Sequence, residues 1–334
     1  MKRRRFLQTS GITGISAAAF GCGAMATKTV MPSGTIQRVR FGKTDLQVSR
    51  LGFGSHLVQD LVSDPKRRDA MIKRGFDGGI NVFDVYDHSN YNQFEPMGKT
   101  VQDIGRKDVV ISLVVVNPTD TVQQEIDGAL RSFKTDHIDL YRHHIVNDER
   151  IEILVRNKKA GKIRYIGVVS HNRDDMMRYL DNYGDVLDYV MIIYNFYHNM
   201  GRFADPERYP SNDYSALLPR CEKMGLGVIG IKPMGSDDMT KLARERGYFD
   251  KSQPSVTNAM LRHVFSRPEI DLTMTAMNGM DELAGNLGAA YTPKIRPEDQ
   301  SLLDRLGREV ASTKRAYLRP HYKWLDNWAG GRMA

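Results

Sequence analysis

Polar side chains able to move protons or polarise a carbonyl stand where short apolar runs of this chain end. Asp84 ends the second strand, within the run Asn81–Tyr86, and His143 and His144 follow His137–Arg142. Ser170, His171 and Asn172 follow Arg164–Val169, Tyr194 and Asn195 close Tyr189–Tyr194, and Lys232-Pro233 follow Gly227–Ile231. A carboxylate, imidazoles, a phenol and an ammonium group form the usual equipment of general acid–base chemistry. Adjacent residues on a strand point to opposite faces, so His143 and His144 do not make a metal pair, and no metal is expected. The two cysteines, Cys22 and Cys221, are too few for a disulfide framework or a Cys-rich metal site.

Groups that end strands work together only when those strands are parallel and neighbouring. The apolar runs are Leu51–Gly54, Asn81–Tyr86, Val109–Val116, His137–Arg142, Arg164–Val169, Tyr189–Tyr194, Gly227–Ile231 and Leu272–Ala276. Each is followed by a helix-period segment, near residues 65–77, 95–104, 121–133, 150–159, 173–182, 214–223, 256–266 and 281–290. Eight strand–helix units predict an α/β fold, a (β/α)8 TIM barrel, whose chemistry sits at the C-terminal strand ends. The run at 109–116 is apolar on both faces, as a central parallel strand requires. No Gly-x-Gly-x-x-Gly follows the first strand, which argues against a dinucleotide-binding open sheet. Thr35–Phe41 and Leu46–Val48 flank Gly42-Lys43-Thr44-Asp45, an N-terminal β-hairpin signal. The barrel unit is expected over 35–310, including an extra helix at Pro297–Val310. An aromatic, basic tail (311–334) carries Trp324 and Trp328, which cap the mouth or pack the last helix. Met274, Met277 and Met280 read as core packing.

The chain has 334 residues, with 48 Lys+Arg against 40 Asp+Glu for a formal charge of +8. Lys2, Arg3, Arg4, Arg5 and Lys28 account for much of the excess, because the first 28 residues contain no acid. The body lacks a Lys/Arg run, so no nucleic-acid partner is expected. Arg3-Arg4-Arg5-Phe6-Leu7-Gln8, a weakly apolar stretch from Gly11 to Gly21 and Ala24-Met25-Ala26 resemble a twin-arginine export signal over residues 1–26. The stretch is shorter than the roughly 20 apolar residues of a membrane span. The implied partner is the twin-arginine export machinery. The implied location is periplasmic, or membrane-anchored as a lipoprotein if Cys22 is lipidated. Cleavage after Ala26 leaves Cys221 with no disulfide partner.

Several segments, in order, resemble the aldo-keto reductases. Arg38-x-x-Phe41-Gly42-Lys43-Thr44-Asp45-Leu46-x-Val48-Ser49-x-Leu51-Gly52-x-Gly54 is similar to that family's hairpin and first strand. Gly79–Asp84 is similar to its catalytic-Asp strand and Asp136–His144 to its catalytic-His strand. Gly161–Gly167 and Ile231–Gly235 match two further segments, so the resemblance spans about residues 36–290. It implies NADP- or NAD-dependent interconversion of a carbonyl and an alcohol on a small-molecule substrate, without a metal. In that family a Tyr donates the proton, an Asp–Lys pair lowers the Tyr pKa, and a His polarises the carbonyl.

Asp84 and His144 carry over directly. Ser89 stands where the family has its Tyr, and Tyr91 is the better match through Tyr91–Lys99, with Tyr86 an outside choice. Val114 stands at the Lys position. Arg142 lies two residues before His144, on the same inward face, and is expected to pair with Asp84 in place of that Lys. The cofactor would meet Ser170, Tyr194, Lys232, Pro233, Gly235 and Asn286. Val169 and Met191 replace polar carboxamide contacts, and the family's Glu-Asn becomes Gly285-Asn286. Two alternatives follow from these replacements. One is a catalytically silent barrel that binds a small ligand such as a sugar. The other is a non-redox enzyme using Asp84, Arg142, His143, His144, His171 and Lys232 on a polyol.

Overall fold

A computed structural model describes residues 29–54, 64–85, 94–115, 121–144, 146–170, 173–197, 216–235, 237–249 and 255–312. The chain opens with the expected hairpin, β1 (Arg38–Arg40) paired antiparallel to β2 (Gln47–Ser49). Eight parallel strands then close into a barrel in sequence order, with the last hydrogen-bonded to the first. They are β3 (Leu51–Gly54), β4 (Val82–Val85), β5 (Val110–Val115), β6 (Ile138–His143), β7 (Ile163–Ser170), β8 (Tyr189–Ile193), β9 (Gly227–Ile231) and β10 (Leu272–Ala276). The helices between them are α1 (Pro65–Asp77), α2 (Phe94–Ile104), α3 (Val122–Phe133), α4 (Asp148–Lys159), α5 (Arg173–Tyr183) and α6 (Leu217–Met224). After β9 come α7 (Asp237–Glu245) and α8 (Val256–Phe265), and after β10 come α9 (Met280–Tyr291) and α10 (Pro297–Ser312). Helix α7 is one more than the sequence pattern indicated. The others fall within a few residues of expectation.

Local chemistry sets the helix starts. Asp64, Asn147 and Ser255 each accept the backbone N–H three residues on, at the N-caps of α1, α4 and α8. Strand starts are tied sideways in a recurring way. Asn81 Oδ1 accepts the Ser49 N–H (2.7 Å) and Asp139 Oδ2 that of Ile111 (2.9 Å). Asp188 Oδ2 accepts the Ile166 N–H (2.8 Å) and Asp271 Oδ2 that of Val228 (2.8 Å). These clips sit at the strand N-termini, the face that serves stability in such barrels.

Two apolar layers result from strand parity. Phe83, Val85, Ile111, Leu113, Tyr141, Val168, Val190 and Ile192 face the helices. Val82, Val110, Val114, Leu140, Val169, Tyr189, Met191, Ile229 and Met274 fill the interior, with Phe41 of the hairpin packed among them from below. Helices α2 and α3 approach closely at Gly98, where a Cβ would lie 1.9 Å from the Ser132 carbonyl oxygen. Gly98→Ala therefore has to force two backbones apart. We expect it to lower the unfolding free energy by about 3 kcal/mol in chemical denaturation.

Candidate active site

Three adjacent strands build the centre of the interior. Register places Asp84 of β4 opposite Ser112 of β5, and Arg142 of β6 opposite Val114, one step higher. From there the Arg142 side chain reaches back along the barrel axis. Its Nη1 donates to Asp84 Oδ1 (2.7 Å) and its Nη2 to Asp84 Oδ2 (2.9 Å). Ser112 Oγ donates to Asp84 Oδ1 (2.7 Å) and accepts from Arg142 Nη1 (2.8 Å). Nη1 also lies 3.3 Å from the Leu113 carbonyl. The planar guanidinium matches a carboxylate edge-on, which makes this among the stronger ion-pair geometries. All three residues are buried, so each charge depends on the other for its stability. The pairing expected from parity is present, and Ser112, which nothing in the sequence singled out, bridges it.

The surroundings follow from residue size. Gly167 lies level with Arg142 on β7, and a Cβ there would sit 2.3 Å from the Tyr189 ring. That vacancy lets Tyr189 cross the interior, where its ring meets Phe41 at a centroid distance of 5.6 Å and 51°. Burial pushes the Tyr189 phenol well above its ordinary range, with the Arg142 charge working against it. On the interior side of the strands next to the pair stand Val114, Val169 and Met191, all buried. Where the strands end, His144 is half-buried after β6, and Ser170 closes β7. Lys232 follows β9 in a left-handed backbone conformation (φ 55°), and its carbonyl accepts the Gly235 N–H (2.9 Å) and Asn195 Nδ2 (3.3 Å). Gly235 is also left-handed (φ 79°) and Pro233 is buried, so Lys232–Gly235 forms a tight turn at the mouth.

Two expected participants lie elsewhere. Tyr194 is among the residues expected to meet the cofactor, but its side chain lies in the outer layer with α8. There it stacks on His263, with ring centroids 6.3 Å apart and 16° between planes. Tyr189 and Met191 point inward, and the two-residue period of β8 carries Tyr194 outward. Burial raises its phenol to about 12. His143 likewise faces the helices, fully buried, with neither ring nitrogen hydrogen-bonded. It therefore drops out of any non-redox constellation at the mouth. Tyr86, Ser89, Tyr91, His171, Asn172, Trp324, Trp328 and the export segment 1–26 lie outside the described residues.

Charged groups of both signs meet at the start of α9. Its N-cap is Gly279, with no side-chain cap, and a Cβ there would meet only Arg67 Nη2, at 3.6 Å. A helix N-terminus beside a guanidinium favours an anion, but here Arg67 donates to the Asn278 carbonyl and two carboxylates, Asp281 and Glu282, stand in the first turn. The Glu282 carboxylate is turned back onto the Asn278 N–H (2.7 Å), and Asn286 is buried further along the same helix. At the C-terminal end of β7 the buried polar group is Ser170, beside apolar Val169 and Met191.

Comparisons with known proteins agree with the architecture. In Bacillus halodurans, the holo form of an aldo-keto reductase superposes with a TM-score of 0.63 at 22% identity, over 84% of this chain and 99% of that one. A Klebsiella pneumoniae aldo-keto reductase solved in complex with NADPH gives 0.62 at 22% identity, over 86% and 99%. A Bacillus subtilis oxidoreductase, uncharacterised, is 21% identical over 79% of this chain and 94% of its own. A probable aldo-keto reductase of Glycine max is 23% identical over 226 residues, and the chain spans 61% of that relative's length. Residues 50–293 match the Aldo/keto reductase family, well over half of the sequence, and the chain belongs to that family.

Proposed function

We propose that the protein is an exported NAD(P)-dependent oxidoreductase that interconverts a carbonyl and an alcohol on a small molecule. The observation that carries this reading is the closed barrel, in which Asp84 stands on β4 and His144 follows β6, two strands away. Family membership supports it, as does the NADPH complex of the Klebsiella pneumoniae relative. Arg67 and Asn286, at α9, would lie on the cofactor's phosphate side, and Ser170, Lys232 and Gly235 would border its nicotinamide end. A bound reduced nicotinamide supplies the hydride. Asp84 and Arg142 fix the floor of the pocket, the aliphatic layer above them excludes water, and His144 meets the substrate oxygen at the rim.

Fluorescence titration with NADPH and NADH tests the reading. Saturable binding of either below millimolar concentration is expected, and no binding of either would end it. One observation favours a second reading: Val114, Val169 and Met191 present a buried apolar surface where a carboxamide would want hydrogen bonds. Losing such bonds at about 1 kcal/mol each weakens binding several-fold per contact. A silent, ligand-binding barrel would show no nucleotide binding in the same titration. Export is tested by replacing Arg3 and Arg4 with Lys in a host that has the twin-arginine route. Retention of the full-length chain in the cytoplasm is expected, against cleavage after Ala26 for the parent.

A further inference from the structure

We propose that Tyr189 is a positioning residue for the reaction, its ring holding Arg142 turned toward Asp84 from the far side of the barrel. This rests on the carbonyl–alcohol reading above. Strand register sets Arg142 of β6 level with Gly167 of β7, and Gly167 level with Tyr189 of β8. A Cβ at Gly167 would lie 2.3 Å from Tyr189 Cζ, and 2.4 and 2.5 Å from its two Cε atoms. The hydroxyl end of the ring therefore covers Gly167, and the side chain lies across β7 toward β6. Burial raises its phenol, and of the charges that act on it Arg142 comes first and Asp84 second. From β6 the Arg142 fork points the other way, onto both carboxylate oxygens of Asp84 on β4. Tyr189, Arg142 and Asp84 thus stand in one file across the interior, each of them buried.

Excluded volume does the holding. An arginine side chain has many rotamers, and those that swing the guanidinium back over Gly167 would meet the Tyr189 ring. The ring itself cannot sink. Phe41 lies against it, with centroids 5.6 Å apart, and Phe41 is packed so closely on β9 that a Cβ at Gly227 would come within 2.6 Å of it. A side chain locked by packing fixes the polar group it touches, and a displacement of about 1 Å near reacting atoms costs up to about a hundredfold in rate. Tyr189 acts through Arg142 and Asp84, so the hairpin that carries Phe41 supports the site from the opposite end of the barrel.

The test separates position from stability. With NADPH and 4-nitrobenzaldehyde, Tyr189→Leu is expected to lower kcat at least about tenfold, with NADPH affinity unchanged. Tyr189→Phe keeps the ring and is expected to restore most of the loss. Nitrogen-15 NMR of the arginine side chains, on the full chain without cofactor, reads Arg142 directly. The Nη signals missing from the double variant Asp84→Leu, Arg142→Met are expected to be separate in the parent and in Tyr189→Phe, and merged in Tyr189→Leu. Gly167→Ala, which drives a methyl group into the ring, is expected to lower both stability and kcat. Adding Tyr189→Leu to it removes that clash, so stability is expected to return while kcat and the separate signals do not. Recovery of kcat together with stability, separate signals in Tyr189→Leu, or an equal loss in Tyr189→Phe overturns the proposal alone. Absence of NADPH binding in the parent overturns the underlying reading, and the proposal with it.

Discussion

Arg142→Met is expected to lower the free energy of unfolding by about 3–5 kcal/mol, because it removes the bidentate guanidinium from the buried Asp84 carboxylate. Ser112 would remain as a donor to Asp84 Oδ1, but one neutral hydroxyl replaces little of a bidentate guanidinium. The double variant Asp84→Leu, Arg142→Met removes both charges and leaves apolar atoms among Val82, Val114 and Leu140, which already line this interior. It is expected to recover most of the loss, since well-packed hydrophobic replacement of a buried pair is often close to neutral. Urea denaturation of the parent, the two single variants and the double variant gives the coupling energy directly. A single variant as stable as the parent, or a double variant no better than the worse single, would contradict the closed pair. A barrel in which the double variant folds well but has lost its chemistry would show that the pair is retained for position rather than stability.

The second large effect is in acid. His143 is buried on the helix side of β6, with neither ring nitrogen hydrogen-bonded, and its pKa is pushed down to about 3 by burial first and the Arg150 charge second. Its surroundings on α3, β6 and α4 include Glu125, whose carboxylate accepts from the Tyr141 hydroxyl (3.1 Å), and Arg150 itself. In the unfolded chain an imidazole titrates near 6.5. The folded state therefore binds fewer protons than the unfolded state between those two values. The contribution of His143 is present in full above about 6.5 and is lost as pH falls toward 3. Between pH 7 and pH 5 that loss amounts to about 2 kcal/mol.

His137 has the opposite sign. Asp139, and then Asp136, raise its pKa, so its contribution is present below about 6.5 and fades as pH rises. Comparing the parent with His143→Leu cancels the His137 contribution. The variant is expected to lose about 2 kcal/mol less than the parent between pH 7 and pH 5 in matched urea melts. Identical slopes would show that His143 is protonated, or partnered, in the folded protein.

How much of the site could be read in the sequence follows from what a strand encodes locally. The two-residue period told that Arg142 and His144 share a face, and the run ending at Asp84 told which strand carries the carboxylate. The same period, applied from Tyr189, would have sent Tyr194 to the outer layer, and applied to Arg142 it sends His143 there. The resemblance to a family position outweighed that signal for Tyr194. Ser112 had no signal of its own, because its role depends on facing Asp84 across one strand pair and Arg142 across the next. The strand-start clips were equally silent: Asp188 and Asp271, each just before an apolar run, look like turn residues until the neighbouring strand's N–H is placed beside them.

By itself, the sequence determined the eight strand–helix units, the hairpin ahead of them and the inward parity of Arg142 and His144, all of which follow from side-chain period and turn chemistry within a few residues. Tertiary structure alone decided that Arg142 closes on both oxygens of Asp84 with Ser112 between them, that Gly167 yields its space to Tyr189, and that His143 is sealed behind β6 beside Arg150. Those outcomes depend on the stagger between strands far apart in the chain and on the volume left inside a closed barrel. Neither quantity exists until the last strand pairs with the first.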